Sequence, residues 1–542
     1  MEKKKTTCYI ILYSGLISLM NVTGCYLSVK YNTTVYSKTL ADFFRKLPFW
    51  GYAVCFVCSF VFLMLLSSLF LKANIKNAVR REVFIPFRFA VLIFIDLIIC
   101  WIPVLLAVFP GFFNYDIEGQ LPQVMYHTGY ITHHSLLSTL IMGTLITAGY
   151  HLFSENIVMG IFCYSVFQMI VCSLVFTVCI CYLYKITRSK IMAALAFAYY
   201  AFFPIISMFA LSTTKDVICS CFLLLSALLI YDLWTTNTEN VNDKFRIRFK
   251  KISLVASLIL MCLMRKNGII AVVLFGIALF LFWKKEKRYI GMIIVSVIGY
   301  FVIAVALKSG LHAKSGGSVE AFSVPIQQIS RVYIDKGKDA FSEEEWDLIS
   351  KIVSEERLSQ YNPFLADDIK NFLMFQEVEQ APLDYAKLWI MVGIRNPKEY
   401  LEAFGDMTYQ AWYPWTLIVE DPNTGEIDYF DFDMSLDIDR ISVLPRLCNQ
   451  LELLSKTDKF QRFPFIRLFF SIGFMLWVAI TQLFIGLVTK KKEIVWPVVV
   501  VLAYCFSSIM GPESLVRYYL ILFYYYPLAI AFICKAFCRG HD

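Results

Sequence analysis

The chain has 542 residues, of which 58% are hydrophobic and 17% charged, and its mean hydropathy is +0.62. A soluble protein of this size cannot bury so much apolar surface, so the composition predicts an integral membrane protein. Residues 309–464 contain 15 Lys/Arg and 27 Asp/Glu, whereas the rest of the chain contains 35 and 15. We therefore expect one acidic domain inserted into a basic membrane body. The basic residues fall in short clusters between apolar runs, which argues against nucleic-acid binding.

Twelve apolar runs are long enough to cross a bilayer. They are 8–28, 50–72, 88–109, 156–184, 190–211, 215–234, 248–265, 267–283, 288–308, 465–489, 493–511 and 516–538. The predicted fold is therefore all-α and polytopic, with about twelve transmembrane helices. The first run has no convincing small-residue cleavage site, so we interpret it as a retained span rather than a signal peptide.

The short basic loops predict an orientation, because lysine and arginine stay on the cytoplasmic side of a membrane. A cytoplasmic N-terminus places the clusters at 3–5, 284–288 and 490–492 on that side. The apolar stretch 134–153 fits this map only as an interfacial helix on the outer surface. The loop 29–49 is an exception, since its four basic residues then lie outside. We predict a cell-membrane protein with both termini cytoplasmic.

The predicted domains are two extra N-terminal spans in 1–87, a transmembrane core in 88–308, the acidic domain 309–464 and three spans in 465–542. The acidic domain is expected outside the cytoplasm and to be mainly helical, because Ser342 and Glu345 form a capping-box pattern and prolines open two helical patterns after it. Glu420–Asp439 resembles a calcium loop. However, Glu426 occupies the position of the required glycine, so a solvated hairpin is favoured.

The segment 111–155 holds four of the six histidines and no lysine or arginine, and it follows directly after an apolar run. A charge-poor loop at a membrane exit is typical of the extracytoplasmic side. Its acids Asp116 and Glu118 make it the best candidate for a catalytic or cation-binding site. A second acid, Asp216, lies beside Lys215 at the edge of a later span, where ionisable groups usually line a cavity or a site.

This order of features resembles the type C (GT-C) membrane glycosyltransferase superfamily. The nearest likeness is to an uncharacterised bacterial branch related to protein O-mannosyltransferases and aminoarabinose transferases. The resemblance extends from about residue 88 to 530. It is carried by Phe109–Asp116, Thr132–Leu137, Pro204–Asp216, Arg265–Gly268 and Ser323–Arg331. Ser135 is a departure, because that branch has proline at this position, and residues 1–87 lie outside the superfamily core.

The resemblance implies transfer of a sugar from a polyprenyl-phosphate donor to a glycan, lipid or protein acceptor of the cell envelope, at the outer membrane face. Such chemistry needs a carboxylate to deprotonate the acceptor and positive groups to bind the phosphate. The implied catalytic residues are Asp116, Asp216 and Glu118. The implied substrate-binding residues are His133, His134, Lys215, Arg265, Gln327, Gln328, Arg331 and Arg517. Asp116 and Asp216 are also candidate ligands of a divalent cation, Mg²⁺ or Mn²⁺.

Each of these residues has a simpler structural interpretation. Asp116 and Asp216 are good helix N-caps, Asp216 could instead pair with Lys215, and Glu118 suits the positive end of a helix dipole. The histidines could hydrogen-bond a phosphate or an acid, or ligate a metal. The arginines at the ends of spans could bind a donor phosphate or extend to lipid headgroups, and the residues near 327–331 could simply begin a helix.

Two other functions fit a polytopic chain with a large loop. A flippase or transporter of lipid-linked glycans would place its ionisable groups near the bilayer midplane, on broken helices. A polysaccharide polymerase would depend on loop arginines rather than on two acids at span edges. The clustering of ionisable groups at one face favours the glycosyltransferase.

Overall fold

The computed structural model describes residues 2–33, 37–70, 85–236, 243–282, 287–316, 319–418, 427–432, 438 and 440–537. Every regular element in these residues is a helix, and the only β-type pairings among them are two isolated bridges. The all-α prediction is therefore confirmed for the described chain. Most of the predicted hairpin in Glu420–Asp439 lies outside the described residues.

Three N-terminal helices precede the core: α1 (Glu2–Lys30), α2 (Lys38–Arg45) and α3 (Phe49–Phe70). Two of the basic residues that contradicted the charge map have acidic partners here. Lys30 Nζ lies 3.3 Å from the fully buried carboxylate of Asp406 in the insert, and Arg45 pairs with Asp42 at 2.9 Å. Because their charges are paired locally, these two side chains carry little information about membrane orientation.

The central helices occupy residues 87–310. They are α4 (Phe87–Ala107), α5 (Asp116–Met125), α6 (Leu136–Leu152), α7 (Ile157–Thr187), α8 (Lys190–Phe202), α9 (Pro204–Phe209), α10 (Lys215–Thr235), α11 (Asp243–Met264), α12 (Gly268–Phe282) and α13 (Lys287–Gly310). The predicted run 190–211 is split, because Phe203 is extended before Pro204, as residues preceding proline usually are. The predicted runs 248–265 and 267–283 correspond to two separate helices, because α11 ends at Met264 and α12 begins at Gly268.

Helix α10 is the centre of the bundle and is buried along most of its length against α7, α11 and two C-terminal helices, Lys492–Ile509 and Leu520–Phe537. Its charged residues lie only at its two ends. At the far end from Asp216, the Asp232 carboxylate is 2.6 Å from Lys250 Nζ and 3.2 Å from Lys185 Nζ. The apolar middle of α10 separates the two acids by about 24 Å at the usual helical rise.

The acidic insert contains α14 (Ser323–Lys336), α15 (Glu343–Ile352), α16 (Glu355–Ser359), α17 (Asp367–Lys370), α18 (Phe375–Gln380), α19 (Pro382–Arg395), α20 (Pro397–Trp412), α21 (Pro445–Lys456) and α22 (Lys459–Arg462), and α23 (Pro464–Phe470) follows at its end. The predicted capping box of Ser342 and Glu345 is confirmed at the start of α15. The first half of the insert has a hydrophobic core of its own, around Ile329, Ile349 and Leu388.

Three C-terminal helices complete the fold: α24 (Ile472–Val488), α25 (Lys492–Ile509) and α26 (Leu520–Phe537), with a 3₁₀ turn at Val516–Tyr519. The insert touches the loop before this turn, since Ala366 N donates to Pro512 O at 3.0 Å and Ser514 Oγ donates to Met407 O at 3.0 Å. We call the side of the bundle that carries the insert the insert face.

Within the described residues, eight helices are long and apolar enough to cross a membrane. They are α1, α3, α4, α7, α10, α13, α25 and α26, the last together with its 3₁₀ turn. Of the other four predicted runs, α8, α12 and α24 are apolar but shorter, and α11 starts with a basic segment. The chain is thus a multi-pass membrane protein by its helices, and the count of twelve stays a prediction. Helix α6, predicted to be interfacial, has 17 residues.

Candidate functional site

The loop between α4 and α5 pairs with the loop before α10. Phe112 N donates to Leu211 O, and Thr213 N donates to Phe112 O, each at 3.0 Å. Gly111 makes this approach possible: its φ is +137°, and an added Cβ would lie 2.7 Å from Leu211 O. Only glycine adopts such a backbone without strain. The pairing places the residues that follow each loop next to one another, at the starts of α5 and α10.

Gln168 of α7 is fully buried and holds the loop before α10 through hydrogen bonds. Its Nε2 donates to Ser212 O at 2.6 Å and to Phe209 O at 3.0 Å, and its Oε1 accepts from Tyr164 at 3.0 Å. A buried amide with its donors and acceptor all satisfied holds the backbone in one arrangement. Gln168 therefore fixes the position of the loop that leads into Lys215.

Asp116 and Lys215 meet at the first residues of these two helices. Lys215 Nζ lies 2.6 Å from Asp116 Oδ2 and 2.9 Å from His134 Nδ1, and the Asp116 side chain is only 10% exposed. An ammonium has donors only, so the nitrogen of His134 that faces it must be the acceptor. The neutral ring then carries its proton on Nε2, which lies on the Gly119 side.

Asp216 forms a second buried pair one residue further along α10. Its Oδ1 accepts a hydrogen bond from Arg265, and its Oδ2 accepts one from Thr214 Oγ1 at 3.1 Å. The Arg265 guanidinium also lies 4.3 Å from the ring centre of Tyr518. Asp216 is thus paired with Arg265, whereas the Lys215 ammonium that pairs with Asp116 also contacts His134.

Arg517 closes the site from the 3₁₀ turn before α26. Its Nη1 donates to Asn114 Oδ1 at 2.6 Å and lies 3.9 Å from Asp116 Oδ1, and its Nη2 donates to the Tyr115 hydroxyl. Asp431 of the insert accepts from Asn114 Nδ2 at 2.7 Å and lies 4.0 Å from Arg517 Nε. One buried guanidinium thereby joins the α4–α5 loop, the insert and the C-terminal helices.

The pKa values follow from this crowding of charges. Burial is the largest single influence and raises the pKa of the Asp116 carboxyl, but the neighbouring groups, with Lys215 first and Arg265 among them, together outweigh it, and the net pKa lies below its usual range. Burial and the same ammonium lower the pKa of His134 to about 3. At neutral pH the site therefore contains an ionised Asp116 and an uncharged His134.

A family model for a family of unknown function, DUF6020, matches residues 124–539. The chain belongs to the DUF6020 family. The matched region includes His134, Lys215, Arg265 and Arg517, whereas Asp116 lies before its first residue. No curated protein and no solved structure matches the chain.

Within the region matched by DUF6020, the structure brings together five of the predicted site residues. They are His134, Lys215, Asp216, Arg265 and Arg517, which join Asp116 in one network of contacts. His133 is adjacent but exposed, and its ring packs edge-on against His134 with 4.7 Å between ring centres. Glu118 is exposed on α5, and its carboxylate is no part of the network of buried side chains.

The other predicted substrate-binding residues of the DUF6020 region are engaged inside the insert. Gln327 donates to Asn362 O at 2.8 Å and Gln328 donates to Tyr400 O at 3.1 Å. Arg331 pairs with three acids of the insert: Asp335, Glu402 and Asp406. These contacts match the simpler interpretation, in which the segment begins a helix of the insert.

The described residues do not offer a divalent cation a suitable set of ligands. No group of three or more His, Cys, Asp and Glu side chains in them could hold a metal ion. Asp116 and Asp216, the two predicted ligands, are instead paired with Lys215 and Arg265. We therefore assign no step to a metal.

Sequence reasoning missed several residues of the site. Asn114 and Tyr115 belong to the motif that carried the resemblance, and their position before Asp116 was the available signal. Gln168 and Asp431 gave no signal. Gln168 is a single polar residue in an apolar run, and Asp431 is one acid among many in the insert.

Proposed function

We propose that the chain is a membrane glycosyltransferase that moves a sugar from a polyprenyl-phosphate donor to an acceptor hydroxyl at the insert face. The supporting observation is the position of Asp116, whose two carboxylate oxygens lie 2.6 Å from Lys215 Nζ and 3.9 Å from Arg517 Nη1. A base and two cations therefore stand together at the ends of apolar helices. This is the set of groups that the reaction requires.

In the proposed step, the acceptor oxygen forms a bond to the anomeric carbon of the donor sugar. The bond between that carbon and the phosphate oxygen breaks, and the polyprenyl phosphate leaves with the bonding electrons. The acceptor proton passes to Asp116, and Lys215 and Arg517 stabilise the added negative charge of the leaving phosphate. Inversion at the anomeric carbon follows from a single displacement.

The shared ammonium links donor binding to the strength of the base. Lys215 lowers the pKa of Asp116, which makes the carboxylate a weak base while the pair is intact. A donor phosphate is a strong competitor for the same ammonium, because charge-assisted bonds to phosphate are short and strong. As Lys215 turns to the phosphate, Asp116 regains proton affinity where the acceptor needs it.

The location of the charges favours this function over a flippase or transporter. Transporter sites lie near the bilayer midplane. On the central helix α10, the charged residues Lys215, Asp216 and Asp232 stand only at the ends, with an apolar middle between them. A site at one end suits a reaction on a lipid-linked donor, whose phosphate lies at the membrane surface.

The test is sugar transfer by the purified protein in lipid vesicles, with a panel of radiolabelled polyprenyl-phosphate hexoses and pentoses. Wild type should release polyprenyl phosphate and label an envelope-extract acceptor. Asp116→Asn keeps the shape of the side chain but cannot take up a proton, and its rate should fall by about 10²–10⁴-fold. Glu118→Gln is the matched control, because that acid is exposed two residues away.

Transfer by Asp116→Asn at the wild-type rate would remove Asp116 as the base. A fall in rate for Glu118→Gln as large as that for Asp116→Asn would move the base to Glu118. If no donor in the panel supports transfer and none binds to wild type, the glycosyltransferase proposal fails.

A further inference from the structure

Gln120 of α5 is fully buried, and neither its Nε2 nor its Oε1 has a hydrogen-bond partner within the described residues. A primary amide carries two donors and one acceptor, and burying it unpaired costs stability. Gln123, on the next turn, shows the usual arrangement: its Nε2 donates to Gly119 O at 2.5 Å and its Oε1 accepts from Ile131 N at 3.0 Å. The amide of Gln120 is therefore buried without hydrogen bonds, whereas the amide of Gln123 is hydrogen-bonded.

Gln120 lies one turn after Asp116 in α5, and both side chains are buried. Residues four apart lie on the same face of a helix, so Gln120 is directly below Asp116. Long helical side chains also lean toward the N-terminus and cover the preceding turn. Asp116, Lys215 and His134 occupy that end of the helix. The unpaired amide is thus directed at the candidate site.

We propose that Gln120 binds hydroxyl groups of the donor sugar and so contributes to the choice of sugar; this inference rests on the proposed function. An uncharged amide both donates and accepts hydrogen bonds, as a sugar hydroxyl does. Phosphate oxygens only accept, and Lys215 and Arg517 already provide positive donors for them. The amide and the two cations would then bind different parts of one donor.

The first measurement is the thermal unfolding temperature of two matched variants in detergent without added donor. Gln120→Met removes an amide that lacks partners, so it should unfold at the wild-type temperature or above. Gln123→Met removes two hydrogen bonds and should unfold at a lower temperature. A decrease for Gln120→Met as large as that for Gln123→Met would show that Gln120 has a structural role, and would overturn the proposal.

The second measurement is binding in nanodiscs, with bare polyprenyl phosphate and a sugar-loaded polyprenyl phosphate as the two probes. Wild type should bind the sugar-loaded probe more tightly. Gln120→Met should reduce this preference by about tenfold or more, because a sugar hydroxyl loses its buried hydrogen-bond partner. Its affinity for the bare carrier should stay within about twofold of wild type, since the phosphate contacts are intact.

The role of Gln120 and the proposed function on which it rests fail in different ways. If wild type prefers the sugar-loaded probe and Gln120→Met keeps the full preference, the role of Gln120 is wrong while the proposed function stands. If wild type binds neither probe, the proposed function fails and the inference fails with it. If Gln120→Met loses affinity for both probes equally, Gln120 supports the fold of the site and does not recognise the sugar.

Discussion

Lys215 Nζ lies 2.6 Å from Asp116 Oδ2, although the two residues are 99 positions apart in the chain. Two loops that pair through Phe112 and Ser212 bring the residues together. Each is the first residue of a helix, so the positive N-terminal end of α5 also favours the negative charge of Asp116. The pair thus stabilises the ionised form of an acid whose pKa burial alone would raise.

Arg517 should be needed for donor phosphate binding. Arg517→Lys removes the planar fork that contacts Asn114 and Tyr115, and lysine does not replace arginine at such sites. We expect polyprenyl phosphate to bind to Arg517→Lys about tenfold more weakly or worse, measured by titration in nanodiscs. Arg395→Lys is the control, because that arginine is largely exposed in the insert, and its titration should match wild type. Unchanged affinity in Arg517→Lys would assign this arginine a purely structural role.

His134 should make the stability of the protein depend on pH. Its pKa is about 3 in the folded protein and about 6.5 in an unfolded chain, so between these values the unfolded state binds more protons. Stability contributed by the neutral ring is present above pH 6.5 and decreases as the pH falls toward 3. Thermal unfolding of wild type should therefore show a steeper loss over this window than that of His134→Gln. His151→Gln, at an exposed histidine, should keep the wild-type slope; equal slopes in all three proteins would contradict the assignment.

The N-terminal helix should depend on Asp406 for its attachment to the insert. Asp406 accepts from Tyr31 at 2.5 Å and pairs with Lys30 and Arg331, and its side chain is fully buried. Burial raises the pKa of Asp406 despite these donors, which offsets part of the attraction. We therefore expect Asp406→Ala to destabilise the protein by about 3 kcal/mol, the lower end for breaking a buried pair.

Denaturant unfolding in detergent measures this change. The control is Asp335→Ala, which removes a partly exposed partner of Arg331 and should cost less than about 1 kcal/mol. Equal stability of the two variants would mean that the buried network does not hold α1. Limited proteolysis near residue 33 provides a second readout, since release of α1 from Asp406 should expose that segment only in Asp406→Ala.

Gly111→Ala should disturb the site through the backbone. Its φ of +137° is strained for alanine, and the new Cβ would meet Ser165 Oγ and Leu211 O. We expect a loss of about 1–3 kcal/mol of stability together with reduced donor binding, because the loop that carries Asp116 must move. Gly291→Ala is the matched control: an added Cβ there meets nothing within 4 Å, and in helix α13 alanine should be neutral or stabilising. Similar unfolding temperatures for the two variants would show that the site does not require glycine at position 111.

The sequence was informative where a physical rule ties a residue type to a position. Charged residues at the edges of apolar runs are costly, and this rule identified Asp216 and Lys215, which the structure brings into contact with Arg265 and Asp116. The apolar runs predicted the helices, because a long run without charges is typical of a helix that crosses a bilayer. The lengths of the helices were harder to predict from hydropathy. Pro204 divides one apolar run into α8 and α9, and α11 begins with a basic segment.

The rest of the site depends on contacts between distant parts of the chain. Gln168 matters because three backbone carbonyls converge on its amide, and Asp431 matters because the insert folds back onto Asn114. Neither position is distinctive in sequence. For Gln327 and Gln328 a motif suggested a role at the site, and the structure shows their amides bonded to the insert backbone.

The paired acids at the two ends of α10 have a mechanical consequence. Asp216 is held by Arg265, and Asp232 is held by Lys185 and Lys250. A helix fastened at both ends can neither slide along its axis nor rotate without breaking an ion pair. Lys215 therefore lies on a helix that is fixed to α7 and α11, and any opening that admits a substrate has to come from helices that these ion pairs do not hold.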